Sequence, residues 1–146
     1  EAENARVRLV QMPVPAARIT LRVDDRAVRQ MLLNLLSNAI RYSRPDGSVA
    51  VRTEFGQDRS LRIMVEDKGI GIAPEELAFV QQPFERSSRA RQHGVGGMGL
   101  GLSIVASLIA LHDGRLDLAS EPGAGTTATL VLPADRVQVQ ERLPAA

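Results

Sequence analysis

The chain has 146 residues, of which 44% are hydrophobic and 24% are charged, and its formal net charge is +1. This length and composition suit one globular domain, and the balanced charge gives no electrostatic reason to expect nucleic acid or a membrane surface as a partner. Cysteine is absent, which excludes disulfides and thiolate metal sites, and two histidines are too few for a histidine-rich zinc site. No apolar run reaches the roughly 18 residues of a transmembrane helix. We therefore expect a soluble piece in a reducing compartment.

Two periodicities alternate along the chain, one of two residues that is typical of strands and one of three to four that is typical of helices. The strand patterns lie at 7–10, 19–23, 49–55, 61–66, 115–119 and 126–132. The helical patterns lie at 25–42 and 100–112, and a short helix is predicted to begin near Pro74. Asp24 or Asp25 can cap the first long helix, and Gly114 can adopt the left-handed conformation that ends the second.

Two other stretches lack regular apolar spacing. We expect 82–95 to form a mobile loop and the polar stretch after Pro133 to be loosely held. The chain is accordingly divided into a domain over 1–133 and a C-terminal tail over 134–146. Strand pairs interleaved with helices indicate an α+β fold, a two-layer sandwich in which three helices cover one face of a mixed sheet of about five strands.

The segment 94–101 holds five glycines and runs directly into the second long helix. Glycines let the backbone approach a ligand, and free N–H groups at a helix N-terminus attract an anion. The glycine spacing also fits a dinucleotide-binding fingerprint, but no buried strand precedes it. A P-loop is excluded because the only lysine, Lys68, lies elsewhere, and the H-R-D and D-F-G triplets of protein kinases are absent. Taken alone, the segment is either a phosphate cradle or a flexible connection before a core helix.

Asn34 and Asn38 lie one turn apart on the first long helix, at the border of its apolar stripe, with Arg41 and Tyr42 one turn further on. Two asparagines in this position either need a partner, such as a metal ion or a polar ligand, or form an ordinary solvated edge.

Asp67 follows a predicted strand and precedes Gly69, Gly71 and Ile72. A carboxylate in this place can accept a hydrogen bond from the exocyclic amine of a base, while the glycines let a planar ring approach. The alternative is a tight turn with an acid that caps a helix.

The order and spacing of these groups resemble the catalytic and ATP-binding domain of bacterial two-component sensor histidine kinases, in the GHKL superfamily. The matching segments are N-L-L-S-N-A-I-R-Y-S (the N box), D-K-G-I-G-I (the first glycine box), P-F-E-R (the F box), G-G-M-G-L-G-L (the second glycine box) and P-G-A-G-T-T (the terminal glycine motif). The resemblance covers roughly residues 5–133. It implies the Bergerat ATP-binding fold, an α/β sandwich shared with gyrase, the heat-shock chaperone ATPase and mismatch-repair ATPases.

The resemblance also implies roles for individual residues. Asn38 would hold Mg²⁺ through its amide oxygen, Arg41 would contact phosphate as a bidentate fork, and Asp67 would read the adenine amine. The residues implied in catalysis are Asn34, Asn38 and Arg41. The residues implied in ATP binding are Asn38, Arg41, Tyr42, Asp67, Gly69, Gly71, Ile72, Phe84, Arg86, Gly97, Gly99, Leu100, Gly101, Leu102 and Thr126. Those between Phe84 and Gly101 would form a lid that closes around the triphosphate.

The activity implied is transfer of the γ-phosphoryl group of Mg·ATP to a histidine. Neither His93 nor His112 lies in the family's H-[DE]-x-[RK] context, so the acceptor is expected on a separate dimerisation and phosphotransfer domain of the same kinase, with a response regulator downstream. We expect this domain to be cytoplasmic and monomeric, with no nucleic acid partner. The sequence leaves open whether the parent kinase is anchored in the inner membrane.

Two other functions remain as alternatives. ATP-hydrolysing relatives have a glutamate in place of Asn34, and an amide cannot act as a general base, which favours a transferase. A pseudokinase that acts as a scaffold usually has decayed glycine boxes, whereas the departures here are mild: Arg41 replaces lysine, Met98 replaces a small residue, and Asp113 replaces glycine.

Overall fold

The computed structural model describes residues 8–11, 17–77 and 101–141. Its strands are β1 (Arg8–Gln11), β2 (Ala17–Leu21), β3 (Ser48–Phe55), β4 (Leu61–Asp67), β5 (Arg115–Glu121), β6 (Gly125–Leu132) and β7 (Val137–Glu141). Its α-helices are α1 (Asp25–Tyr42) and α2 (Gly101–Leu111), and single 3₁₀ turns form at Pro74–Glu76 and Ala134–Arg136. The predicted strands and both long helices are confirmed, with small shifts at their ends. The short helix predicted near Pro74 is a 3₁₀ turn, so the described residues hold two α-helices rather than three.

The main sheet has five strands in the order β1-β3-β4-β6-β5. β1 runs parallel to β3, and the other pairs are antiparallel, so the sheet is mixed as predicted. Strand alternation puts Leu61, Ile63 and Val65 of β4 on the face that both helices cover. The α+β sandwich predicted from the sequence is therefore confirmed.

The helices bury the stripes that their apolar spacing predicts. Met31, Leu35 and Ala39 of α1 pack into the same core as Val105 and Ile109 of α2. The Asp24 side chain caps α1, since its Oδ1 accepts from the N–H of the second and third residues after it.

His112 joins the end of α2 to the start of α1. Its Nε2 accepts from the backbone N–H of Asp24 (3.1 Å), while Nδ1 lies 2.8 Å from the carbonyl oxygen of Leu108. Because a carbonyl accepts only, Nδ1 carries the proton and the ring is held as one neutral tautomer. With Asn38 lying against Gly101 at the other end, the two helices run antiparallel.

The turn after α2 corrects one prediction. Asp113, and not Gly114, adopts the left-handed conformation, with φ of 61°. Gly114 is needed for space instead, because a Cβ there would lie 2.2 Å from the carbonyl oxygen of Val131.

The stretch after Pro133 corrects a second prediction. Residues 137–141 are not loosely held but form β7, which pairs antiparallel with β2 in a separate two-stranded sheet. Arg136 continues this connection, since its backbone carbonyl accepts from Arg22 N–H (2.8 Å) and its Nη1 donates to the Arg22 carbonyl (2.9 Å). Ile19, Leu21 and Val137 pack against the core from this small sheet.

Candidate functional site

A polar row ends the apolar layer of the main sheet, on the side that the helices cover. Asp67 is the last residue of β4, and the register pairs Thr126 of β6 with Ser120 of β5. Alternation places all three on the same face as Val65, Ala128 and Leu118, one row further into the core. The Thr126 N–H donates to Asp67 Oδ1 (3.3 Å), and this hydrogen bond connects β6 to the end of β4.

The pKa of the Asp67 carboxyl, the acid of this row, is raised. Burial raises its pKa from an ordinary 3.8 to about 6, while hydrogen bonds from the backbone N–H groups of Gly69 (2.9 Å) and Thr126 act against this shift. Among the described residues, both hydrogen bonds go to Oδ1, so Oδ2 keeps its lone pairs for a ligand. A desolvated carboxylate with a free oxygen is typical of a ligand-reading group.

Three glycines around Asp67 allow the backbone segments to approach one another. A Cβ at Gly69 would lie 2.0 Å from the Tyr42 carbonyl oxygen, and one at Gly125 would lie 2.1 Å from the Asp67 carbonyl oxygen. A Cβ at Gly71 would lie 2.1 Å from the Glu121 carbonyl oxygen. These glycines therefore place the loop after β4, the end of α1 and the β5–β6 turn against each other.

Hydrogen bonds hold the loop after β4 to the β5–β6 turn. The Ile72 N–H donates to Ser120 Oγ (2.7 Å), and the Gly123 N–H donates to the Ile70 carbonyl (2.8 Å). The Arg44 guanidinium donates to the Gly123 carbonyl from the other side. Ser120 and Arg44 were missed by the sequence analysis, because a serine in a strand and an arginine after a helix carry no local signal of such contacts.

The end of α1 and the start of α2 meet beside this loop. The Asn38 amide lies against Gly101, where an added Cβ would be 3.4 Å from Nδ2 and 3.5 Å from Oδ1. The Tyr42 carbonyl, one turn further along α1, accepts from the Ile70 N–H (3.3 Å). The first residue of α2, the last turn of α1 and the Asp67 loop are thus brought together.

Asn34 lies one turn before Asn38 and is half-buried. Its Oδ1 accepts from Gln30 Nε2 (3.2 Å), whereas its Nδ2 is buried with no hydrogen-bond partner among the described residues. Arg41 is exposed in the last turn of α1, and Leu102 packs against the core. In the described part of the chain, no three His, Asp or Glu side chains come together as a metal cluster.

The structure thus brings together most of the described residues that the sequence analysis selected: Asn38, Tyr42, Asp67, Gly69, Gly71, Ile72, Gly101 and Thr126. Phe84, Arg86, Gly97, Gly99 and Leu100 lie outside the described residues, as does the loop predicted at 82–95.

Gly71 and Gly123 offer a matched test of the space around the loop. Both have positive φ, 74° and 83°, but the nearest atom to a Cβ at Gly123 is Arg44 Nη2 at 3.8 Å. We expect Gly71→Ala to lower the free energy of unfolding by more than about 3 kcal/mol, since backbone overlap adds to the conformational strain. Gly123→Ala should cost about 1 kcal/mol, from strain alone. Urea denaturation measures both, and equal losses would show that close backbone approach at Gly71 contributes nothing.

Comparison with known proteins gives one consistent result. Residues 23–136 match the family described as histidine kinase-, DNA gyrase B-, and HSP90-like ATPase. The chain is 44% identical over 145 residues to the non-motile and phage-resistance protein of Caulobacter vibrioides, covering 90% of the chain and 17% of that protein. It is 39% identical over 144 residues to the histidine protein kinase DivJ of the same organism, covering 91% of the chain and 24% of DivJ. The sensor-like histidine kinase SenX3 of Mycobacterium bovis is 43% identical over 135 residues, covering 91% of the chain and 32% of SenX3. The chain therefore spans less than a third of the length of these relatives.

Solved structures give the same result for the fold. The mycobacterial sensor histidine kinase MprB superposes with a TM-score of 0.75 at 31% identity, over 90% of this chain and 87% of that one. Full-length ShkA in complex with AMPPNP also gives a TM-score of 0.75, at 26% identity, over 98% of this chain and 28% of ShkA. Within residues 8–11, 17–77 and 101–141, neither helix has the length and hydropathy needed to cross a membrane.

Proposed function

Because the chain belongs to the family of histidine kinase-, DNA gyrase B- and HSP90-like ATPases, we propose that it binds Mg·ATP and transfers the γ-phosphoryl group to a histidine on a separate domain of its parent kinase. The observation that carries this proposal is the placement of the buried Asp67 carboxylate in a glycine-rich loop that contacts Tyr42 of α1, one turn from the Asn38 amide that lies against Gly101 of α2. The names of DivJ and SenX3 as histidine kinases, and the AMPPNP bound to ShkA, support it.

The base would bind at the polar row. Asp67 Oδ2 accepts from the adenine amine, and Thr126 adds a second polar group beside it. Gly69, Gly71 and Ile72 form the backbone wall against which a planar ring can lie. The site suits a nucleotide because it presents a desolvated acceptor in a loop that Gly69, Gly71 and Gly125 hold in close contact with α1 and with the β5–β6 turn.

The phosphates would bind between the helices. Asn38 would hold Mg²⁺ through Oδ1, and Arg41 would contact the phosphate oxygens from the next turn of α1. Bound Mg²⁺ neutralises phosphate charge and orients the γ-phosphoryl group. Gly101 of α2 lies against the Asn38 amide, and free N–H groups at the N-terminal end of a helix would attract the negative charge of the phosphates. Tyr42 would flank the nucleotide, and Phe84, Arg86, Gly97, Gly99, Leu100 and Leu102 would belong to the lid and its hinge.

The work of these residues is positioning and electrostatic stabilisation, which dominates phosphoryl transfer. Asn34 supports transfer over hydrolysis, because an amide cannot remove a proton from water. His112 is not suited to receive the phosphoryl group, since it is buried with both ring nitrogens in hydrogen bonds. The acceptor would therefore be supplied by a dimerisation and phosphotransfer domain of the same kinase, which would pass the group to a response regulator.

Radiolabelled ATP tests the proposal. With Mg²⁺ and the dimerisation domain of the parent kinase, we expect label on a histidine of that domain and none on His93 or His112. The same protein should bind ATP in calorimetry without the added domain. Absence of ATP binding would favour the scaffold alternative, and steady hydrolysis that is lost in Asn34→Ala would favour an ATPase.

A further inference from the structure

Ser120 makes three hydrogen-bonding contacts through a single hydroxyl group. Its Oγ lies 2.7 Å from the Ile72 nitrogen, 2.9 Å from the Gly125 carbonyl oxygen and 2.7 Å from Thr126 Oγ1. A serine hydroxyl has one proton and two lone pairs, so these three contacts use its full hydrogen-bonding capacity.

The chemistry of the partners fixes the direction of each bond. Ile72 N–H can only donate to Oγ, and the Gly125 carbonyl can only accept from it. The one proton of Ser120 therefore points to Gly125, and the second lone pair must accept from Thr126. It follows that the Thr126 hydroxyl proton is directed at Ser120, and Thr126 Oγ1 offers only lone pairs to a ligand.

The side-chain groups that the polar row offers to a ligand are then all hydrogen-bond acceptors. Asp67 Oδ1 is occupied by two backbone N–H groups, so its Oδ2 offers lone pairs, and Thr126 Oγ1 does the same. Two neighbouring acceptors match an exocyclic amine, which has two N–H groups, and they repel an exocyclic carbonyl oxygen. If the Thr126 hydroxyl were free to rotate, it could donate to such an oxygen and the discrimination would fall.

We propose that Ser120 is a positioning residue that fixes the Thr126 hydroxyl as an acceptor and thereby selects a 6-amino purine over a 6-oxo purine. The inference rests on the proposed function, because it concerns the base that the nucleotide site accepts. It assigns base selectivity to a residue of β5 that acts through Thr126.

The affinities of ADP and IDP for the intact 146-residue chain test this role. IDP has an oxygen where ADP has the amine, and calorimetry at about pH 8 keeps Asp67 ionised. We expect Ser120→Ala to reduce the preference for ADP over IDP about tenfold, the effect of one neutral hydrogen bond. Ser120→Thr, which retains the hydroxyl, should restore the preference, and Ser107→Ala on the exposed side of α2 should leave it unchanged.

Several outcomes would overturn the proposal. If Ser120→Ala weakens ADP and IDP equally, or if Ser120→Thr fails to restore the preference, Ser120 only supports the fold. Thr126→Val provides a second test that does not depend on the stability of the Ser120 variant, and an unchanged preference there would also refute the role. If the wild-type chain binds neither nucleotide, the proposed function itself fails, which is a different result from binding both without preference.

Discussion

Asp67→Asn is expected to weaken ADP binding about a hundredfold and, at the same time, to make the protein more stable at neutral pH. The loss of affinity follows from replacing a charged acceptor by a neutral amide, whose NH₂ group faces the donor of the base. A hydrogen bond to a charged group contributes about 1.5–3 kcal/mol, which corresponds to a factor of roughly ten to a hundred and fifty.

The gain in stability follows from the raised pKa. The folded-state pKa of Asp67 is about 6 and its ordinary value is 3.8, so between these values the folded state binds more protons than the unfolded state. This acid therefore lowers stability as the pH rises through 4 to 6, and the full cost is present above about 6. Asparagine carries no charge to bury. The free energy of unfolding of the variant at pH 7 should therefore be about 1–2 kcal/mol higher than that of the wild type. The difference should disappear as the pH falls to about 4.

The same carboxylate gives the binding a pH dependence. Only the ionised form leaves Oδ2 without a proton while Oδ1 accepts from the backbone, so wild-type affinity for ADP should fall about tenfold for each pH unit below about 6. Asp67→Asn should show no such fall. Calorimetry across this range and urea denaturation at pH 4 and 7 measure both effects.

Asp117→Asn is the matched control, because Asp117 is an exposed acid of β5 whose one ion pair among the described residues is with the exposed Arg115. It should change neither affinity nor stability by more than a few tenths of a kcal/mol. A variant Asp67→Asn that binds ADP as well as wild type would remove Asp67 from the base site.

Asn38→Ala is expected to reduce phosphotransfer by a factor on the order of a hundred to a thousand, the effect of removing one preorganised polar group from a reaction centre. The Asn38 amide contacts the first residue of α2 and lies one turn before Tyr42, where the proposed metal and phosphates meet. The metal dependence of binding identifies the cause. Calorimetry with ATP should show that Mg²⁺ strengthens binding by the wild type but has little effect on the variant.

Gln30→Ala is the control on the same helix, since Gln30 is exposed two turns away and bonds only to Asn34 among the described residues. It should retain the effect of Mg²⁺ on binding. If Asn38→Ala also retains that effect, the metal is held elsewhere and the assignment of Asn38 is wrong.

The sequence predicts best those helices and strands whose apolar spacing and capping residues lie within the element itself. The bounds of α1 agree with the prediction because its apolar spacing and the Asp24 cap both lie within the helix itself. The strand β7 was missed because its partner, β2, lies more than a hundred positions earlier, and the alternation of Val137 and Val139 with polar residues does not reveal a partner.

The candidate site likewise contains residues that a sequence motif predicts and a residue that only the tertiary structure reveals. Asn38, Asp67, Gly69 and Gly71 lie in motifs that can be recognised in the sequence, and the structure brings them together, while their roles stay predictions. Ser120 could not be found from the sequence, since its importance comes from the register of β5 with β6 and from a loop that returns from β4.

The small sheet of β2 and β7 affects how mechanical tension reaches the molecule. In the antiparallel register Ala17 lies opposite Glu141, so the two outer ends of this ribbon leave from the same edge. The ribbon's hydrogen bonds are perpendicular to the strands, so a force that separates these ends opens them one after another, as in a zipper, instead of shearing them together. The five-stranded sheet with the polar row shares no strand with this ribbon. Because β1 precedes β2 in the chain, a pull from the N-terminal side first loads β1 at the edge of the five-stranded sheet, whereas a pull from the C-terminal side first loads β7 of the ribbon.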